Sequence, residues 1–286
     1  KMKLKAAIIG TGNIGTDLLI KSIRSKILEP VAFVGRRPDS DGIKLAKNLG
    51  INTSVDGIEF FKNNTNYCDV VFDCTDAFTA KNNYVIFESQ KIKTIDLTPA
   101  KIGQLCVPLI NDNIINVCNN VNMITCGGQA SIPLLHLISK YCSQLEYIEI
   151  VSQISSKSAG MATRINIDEY IHTTENAIKT FTGIDRCKVI LNLNPAEPCV
   201  DMQTTMFLQY KELKIGSVSL LEELNKKIKD INTYVPNYEL TTLPTLNDDI
   251  LVLNIKVRGS GDYLPSYAGN LDIINCAALK ITEKLQ

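Results

Sequence analysis

Tryptophan is absent from this chain, histidine occurs only twice, and no basic run exceeds two residues. Lys and Arg number 30 against 30 Asp and Glu, so the formal net charge is zero. That balance argues against a nucleic-acid binder or a protein held to an anionic membrane. No apolar stretch reaches the roughly 20 residues of a membrane span, and no secretory leader pattern is seen. The nine cysteines show no C-x-x-C or comparable metal spacing, so no metal site is expected. An active thiol would belong in a reducing compartment, and a cytoplasmic location is the expectation. The chain's 286 residues have room for two modest domains, each with its own core.

What is present begins with Leu4–Ile9, a short apolar strand, followed at once by Gly10-Thr11-Gly12-Asn13-Ile14-Gly15 and a helical pattern over Thr16–Arg24. Alone, G-x-G-x-x-G is weak. Between a strand and a helix it reads as a dinucleotide-binding turn, with phosphates at the helix N-terminus. The next strand, Pro30–Gly35, ends in Arg36-Arg37-Pro38-Asp39-Ser40-Asp41. Two arginines where a ribose-binding carboxylate is usual would suit a 2′-phosphate and hence NADP. Equally, the segment reads as a solvated turn with Asp39 or Asp41 on the ribose.

The run Thr125-Cys126-Gly127-Gly128 precedes a helical pattern with Pro133 expected in its first turn. A thiol there would face free N–H groups and the positive end of a helix, which favours the thiolate and offers an oxyanion site. The plainer alternative is a small, buried, inert cysteine. Two adjacent glycines keep the thiol accessible and favour a nucleophile.

Helices are expected over Ser40–Gly50 and Ala77–Ser89, and strands over Asp69–Asp73, Lys93–Asp96 and Val121–Ile124. The pattern then changes. Tyr147–Ile154, Lys188–Leu193, Thr205–Tyr210 and Ile250–Val257 alternate as half-exposed strands, with helices near Ile167–Phe181 and Ser217–Tyr234. The fold class read from this is an α/β Rossmann dinucleotide-binding domain (1–125 and 270–286) plus an α+β domain with a mainly antiparallel sheet (126–269). Asn270 would cap a last helix, Leu271–Lys284, that returns to the first domain.

Five blocks carry a family resemblance: the Gly10 turn, Asp96-Leu-Thr-Pro-Ala100, Asn122–Ala130, Asn194-Pro-Ala-Glu-Pro198 and Asp262–Asp272. In order and across the whole chain, they resemble the acylating acetaldehyde dehydrogenases, partners of 4-hydroxy-2-oxovalerate aldolases in meta-cleavage breakdown of aromatic compounds. The resemblance implies conversion of acetaldehyde, coenzyme A and NAD to acetyl-CoA and NADH through a thioester on Cys126. It also implies a homo-oligomer and an aldolase partner. The loop Ser156–Asn166 resembles a cofactor-contacting loop, which assigns Ser158, Ala159, Gly160, Met161, Ala162, Thr163, Arg164, Ile165 and Asn166 to the cofactor. Asn270 joins them, as either a contact or a cap.

Departures are visible. Met161 and Ala162 stand where the family has Pro and Gly, and Thr204 stands where it has an aspartate that assists the thiol. Asp201, three residues earlier, is the candidate substitute; otherwise turnover suffers. Neither His136 nor His172 is placed to serve as a base. The competing expectations are a semialdehyde or acyl-phosphate reductase of similar build, and a silent nucleotide-binding subunit of an aldolase.

Overall fold

The computed structural model describes residues 2–285. Seven strands, β1 (Leu4–Ile9), β2 (Leu28–Val34), β3 (Thr53–Ser54), β4 (Val70–Asp73), β5 (Lys93–Asp96), β6 (Gln104–Leu105) and β7 (Asn120–Asn122), form one sheet. Its order is β3-β2-β1-β4-β5-β7-β6, and every pairing is parallel. Parallel pairing needs crossovers, and α1 (Asn13–Ile23), α2 (Asp41–Asn48), α3 (Ile58–Asn63), α4 (Ala77–Ser89) and α5 (Ile114–Val117) lie in these connections. Strands covered on both faces read as continuous apolar runs, as Ala6–Ile9 and Val70–Phe72 do, all buried.

The second sheet comprises β8 (Cys142–Ser155), β9 (Cys187–Asn194), β10 (Met202–Leu213), β11 (Tyr238–Leu240), β12 (Thr245–Asn247) and β13 (Ile250–Val257). Its order is β11-β13-β10-β8-β9, with β12 also on β13. Only β8–β9 is parallel; the other pairings are antiparallel. Ile148, Ile150, Ser152 and Ile154 face inward with Thr204, Met206, Leu208, Leu251, Leu253 and Ile255, and the intervening residues are half-buried or exposed. Against the buried face lie α6 (Cys126–Ser139), α8 (Ile167–Thr182) and α9 (Ser217–Ile231), while α7 (Met161–Ile165) precedes α8. The last helix, α10 (Gly269–Thr282), packs on both α1 and α6. The fold is thus a Rossmann-like parallel domain joined to a mainly antiparallel α+β unit, as the residue patterns imply.

Three local expectations need correction. Helix α6 begins at Cys126, capped by Thr125, whose Oγ1 accepts from the Gly128 N–H at 2.9 Å. Pro133 is therefore in the helix interior, where it forfeits one backbone hydrogen bond. Asn270 is not a cap, because α10 starts one residue earlier, behind Ala268. Finally, β7 ends at Asn122, and Ile124 has φ 64°. A β-branched residue in the left-handed region is strained, and here it forms the tight turn into α6.

Candidate active site

The first wall is the turn after β1. Gly10 has φ 105°, and a Cβ there would run into the backbone of Cys74 and Thr75 at the end of β4. Only glycine satisfies both demands. Gly12 precedes α1, no side chain caps that helix, and the space beside Gly12 is open. Unfilled N–H groups at a helix start suit a pyrophosphate. Thr11 packs on Gly35, with its hydroxyl 3.2 Å from Ser40 Oγ, and Asn13 Nδ2 donates to Ser158 O at 3.2 Å.

Arg36 is exposed and reaches Asp76 at 3.8 Å, in line with the second strand's end. Asp76 already caps α4 through the N–H groups of Phe78 and Thr79. Arg37 and Asp39 are exposed.

The 158–166 segment forms the opposite rim. Ser158 and Ala159 are buried, Gly160 lies beside Asn13, and Met161 and Ile165 point outward. Arg164 donates to Ser156 O at 2.7 Å and to Ala159 O at 3.2 Å, closing the loop on itself. Ala162, Thr163 and Asn166 line the cleft. Asn166 stands at the N-cap position of α8, but its side chain makes no cap bond there. Its Oδ1 accepts from Ala77 N–H and its Nδ2 donates to Ala162 O, so it pins α7 to the start of α4.

Cys126 lines a cleft together with Ile14, Asn166 and Asn270. Its Sγ is 3.8 Å from the Tyr170 hydroxyl, which accepts the Gly127 N–H at 3.0 Å. A Cβ on Gly127 would collide with that hydroxyl, so this glycine makes room for Tyr170. The expectation of a depressed thiol pKa is overturned: burial pushes Cys126 up to about 11, against opposing hydrogen bonds from Tyr170 and the Gly127 and Cys126 N–H groups. The expected free N–H groups are also partly engaged, Gly127 by Tyr170 and Gly128 by Thr125.

Asn270 is buried, lines the cleft, and its Oδ1 has no partner among the described residues. A buried orphan acceptor beside an uncapped helix start fits a ligand carrying a donor amide, as a nicotinamide does. Its helix is fixed to α1 by buried Lys21, which meets Asp17 at 2.7 Å, Asp262 at 2.8 Å and Asp272 at 3.2 Å. Asn275 adds donations to Ile14 O and Asp17.

Asp201 is not brought to this cleft. It precedes β10 and pairs with Arg258 at 3.5 Å. Thr204, buried on β10, is instead 3.1 Å from Ser152 Oγ. His136 Nδ1 contacts Phe181 O near the far end of α6, and His172 is exposed beside Glu175. Sequence reasoning missed Tyr170 and Ser152. Their one local signal is an inward position on amphipathic α8 and alternating β8.

Behind the cleft, Asp73 and Asp96 end adjacent strands in register. Thr75 and Asn83 donate to Asp73, and Thr98 and Asn122 to Asp96. Burial first, then the charge of Asp73, pushes Asp96 up to about 7.

Known structures place the fold first. Aspartate semialdehyde dehydrogenase II of Vibrio cholerae, complexed with ASA, superposes with TM-score 0.68 at 14% identity, covering 99% of this chain and 98% of that one. A probable aspartate-semialdehyde dehydrogenase from Pseudomonas aeruginosa gives 0.66 at 11% identity, covering 99% and 98%. At such identities the likeness is one of fold.

Sequence then narrows it. Residues 126–265 match the family described as prokaryotic acetaldehyde dehydrogenase, dimerisation. The acetaldehyde dehydrogenase of Pectobacterium atrosepticum is 48% identical over 99% of this chain and 96% of its own length. That of Spirochaeta aurantia is 48% identical over 98% and 94%. This chain belongs to the acetaldehyde dehydrogenase family, and within the aldehyde-oxidising dehydrogenases it carries a nucleotide-cofactor fold.

Proposed function

We propose that the protein is an acylating acetaldehyde dehydrogenase, converting acetaldehyde, coenzyme A and NAD⁺ to acetyl-CoA, NADH and a proton. The observation that carries this reading is the cleft itself. It brings the buried thiol of Cys126, with that of Cys74 behind it, to the first turn of a helix that no side chain caps, and among the described residues its lining includes no Lys, Arg or His. An apolar wall of Leu97, Pro99, Ile124 and Ile154 suits a small uncharged aldehyde. A phosphorylated or amino-acid semialdehyde would need cationic partners there.

Residues 1–125 with 270–286 would hold the cofactor, and 126–269 would carry the thiol and pair with a second copy. Gly10, Thr11, Gly12, Asn13, Ile14 and Gly15 would receive the pyrophosphate, with the 158–166 loop and Asn270 orienting the remainder. NAD⁺, when bound, supplies the two-electron acceptor for aldehyde oxidation. Cys126 adds as thiolate to the aldehyde carbon and gives a hemithioacetal; loss of hydride from that carbon leaves a thioester on Sγ. The coenzyme A thiolate then attacks the acyl carbon, and Cys126 departs as thiolate. A cytoplasmic enzyme that receives acetaldehyde from an aldolase of aromatic catabolism fits this chemistry.

The test is coupled turnover. Wild-type protein should reduce NAD⁺ with acetaldehyde only when coenzyme A is present. Cys126→Ser should lose about a thousandfold or more, because a hydroxyl is far less ionised than a thiol. Coenzyme A-independent oxidation, or a fully active serine variant, overturns the reading.

A further inference from the structure

Three hydroxyl groups stand one beyond another away from the Cys126 sulfur. Tyr170 Oη is 3.8 Å from Sγ. Ser152 Oγ stands beside that same hydroxyl, since a Cβ added at Gly127 would meet both oxygens. Ser152 Oγ is in turn 3.1 Å from Thr204 Oγ1, with either oxygen able to donate. The three come from three elements, α8, β8 and β10, and all are buried.

The end of this path decides what it can do. Thr204 is 1% exposed and neutral, and its hydroxyl has Ser152 as its side-chain partner. A proton sent along the path would find neither a base to hold it nor water to take it. The path is therefore unsuited to proton removal. It can, however, reverse. A hydroxyl carries one hydrogen and accepts through two lone pairs. The Gly127 N–H donates to Tyr170 at 3.0 Å and cannot turn round, so the tyrosine hydrogen has a choice between Sγ and Ser152. Beside a neutral thiol the three hydrogens can point outward, towards Thr204. Beside a thiolate they rotate inward, so that Thr204 donates to Ser152, Ser152 to Tyr170, and Tyr170 to sulfur. Hydrogen-bond chains that end on an ion polarise one another, and charge-assisted bonds are the strong ones.

We propose that Tyr170, Ser152 and Thr204 form a reversible chain of hydroxyl donors that terminates on Cys126 and holds its thiolate, in place of a side-chain base. The thiol proton leaves into the cleft, to water, and no proton crosses the chain. Tyr170, Ser152 and Thr204 are positioning residues in this account. The proposal rests on the reading of Cys126 as the nucleophile, but its test reads the sulfur directly and needs no turnover.

The experiment is the pH dependence of Cys126 alkylation by iodoacetamide, followed by peptide mass spectrometry on the intact protein. Tyr170→Phe should raise the apparent thiol pKa by about one unit, giving about tenfold less thiolate at a given pH. Ser152→Ala and Thr204→Val, which break the chain further from sulfur, should each reduce it about two- to fivefold. Thr204→Ser keeps the hydroxyl and should restore the wild-type profile, which a purely structural role of the threonine methyl would not do. Thr204→Asp turns Ser152 outward and should slow alkylation at pH 8. An unchanged profile in Tyr170→Phe with native circular dichroism overturns the chain. So does faster alkylation in Thr204→Asp, which would show that the site uses a base. If the shifts appear while coenzyme A-dependent turnover is absent, the functional reading fails and the chain stands.

Discussion

Two strand-to-helix junctions meet at this cleft, each built on closely spaced glycines, and they are finished in opposite ways. At Gly10–Gly12 the helix start is uncapped and the space beside Gly12 is open. At Cys126–Gly128 the start is filled: Thr125 caps one N–H and Tyr170 takes another. The first arrangement leaves donors and the positive end of a dipole for an anion brought from outside. The second closes donors around a residue of the chain itself. Glycine serves both, but for different reasons. Gly10 is demanded by φ and by the approach of the Cys74 backbone, Gly127 by the hydroxyl of Tyr170. A glycine pattern alone therefore does not separate an open helix start from one packed around a thiol; what fills the helix start does.

Glycine-to-alanine substitutions should break this comparison most sharply. Gly127→Ala should cut coenzyme A-dependent turnover about a hundredfold or more and cost about 1–3 kcal/mol in urea denaturation, because Tyr170 must move. Dinucleotide binding, followed by NADH fluorescence, should persist. Gly12→Ala should show the reverse: near-native stability, and NADH binding weakened about tenfold by a methyl group in the phosphate's approach.

A smaller effect is expected from the acid pair behind the two junctions. Burial and the neighbouring Asp73 push Asp96 up to about 7 in the fold, against an ordinary carboxylate value of about 4 in the unfolded chain. The native state thus holds a proton that the unfolded chain has lost, so this group's contribution to stability falls as pH rises from about 4 to about 7 and levels off above. Urea midpoints at pH 5 and pH 8 should differ less in Asp96→Asn than in wild type.

Cofactor choice gives a weaker contrast. Arg36 is mostly exposed and only 3.8 Å from Asp76, and exposed ion pairs contribute little. NAD⁺ should be the working cofactor, and Arg36→Ala should raise KM for NADP⁺ about threefold while leaving NAD⁺ nearly unchanged. The smallest effect belongs to Asp201, held by Arg258 outside the cleft. Asp201→Asn should keep kcat within about twofold, since an assisting base within reach would contribute about a hundredfold.

The residues told a good deal of this in advance. Ala77–Ser89, Lys93–Asp96 and Ile250–Val257 form the elements their patterns imply, because period and turn signals agree there. Two-residue strands such as β3 and β6 exist only through their neighbours, and no local pattern announces them. Of the cleft's lining, Ile14, Cys126, Ala162, Thr163, Asn166 and Asn270 are positions that sequence motifs single out. The cleft was illegible where long-range packing decides. Tyr170 reaches the thiol, and Ser152 comes beside Gly127, only after α8 and β8 pack on α6, while Asp201 pairs with Arg258 elsewhere. The thiol's raised pKa has the same origin, since burial is a property of the whole fold.

The central claim is that Cys126 alone carries the acyl group between aldehyde and coenzyme A. The direct measurement is mass spectrometry of the intact protein and its peptides after brief exposure to acetyl-CoA without free coenzyme A. The prediction is one acetyl group, on the peptide that contains Cys126, absent from the other eight cysteines and released by added coenzyme A. An acetyl group elsewhere, or none under conditions where the protein turns over, would contradict the account.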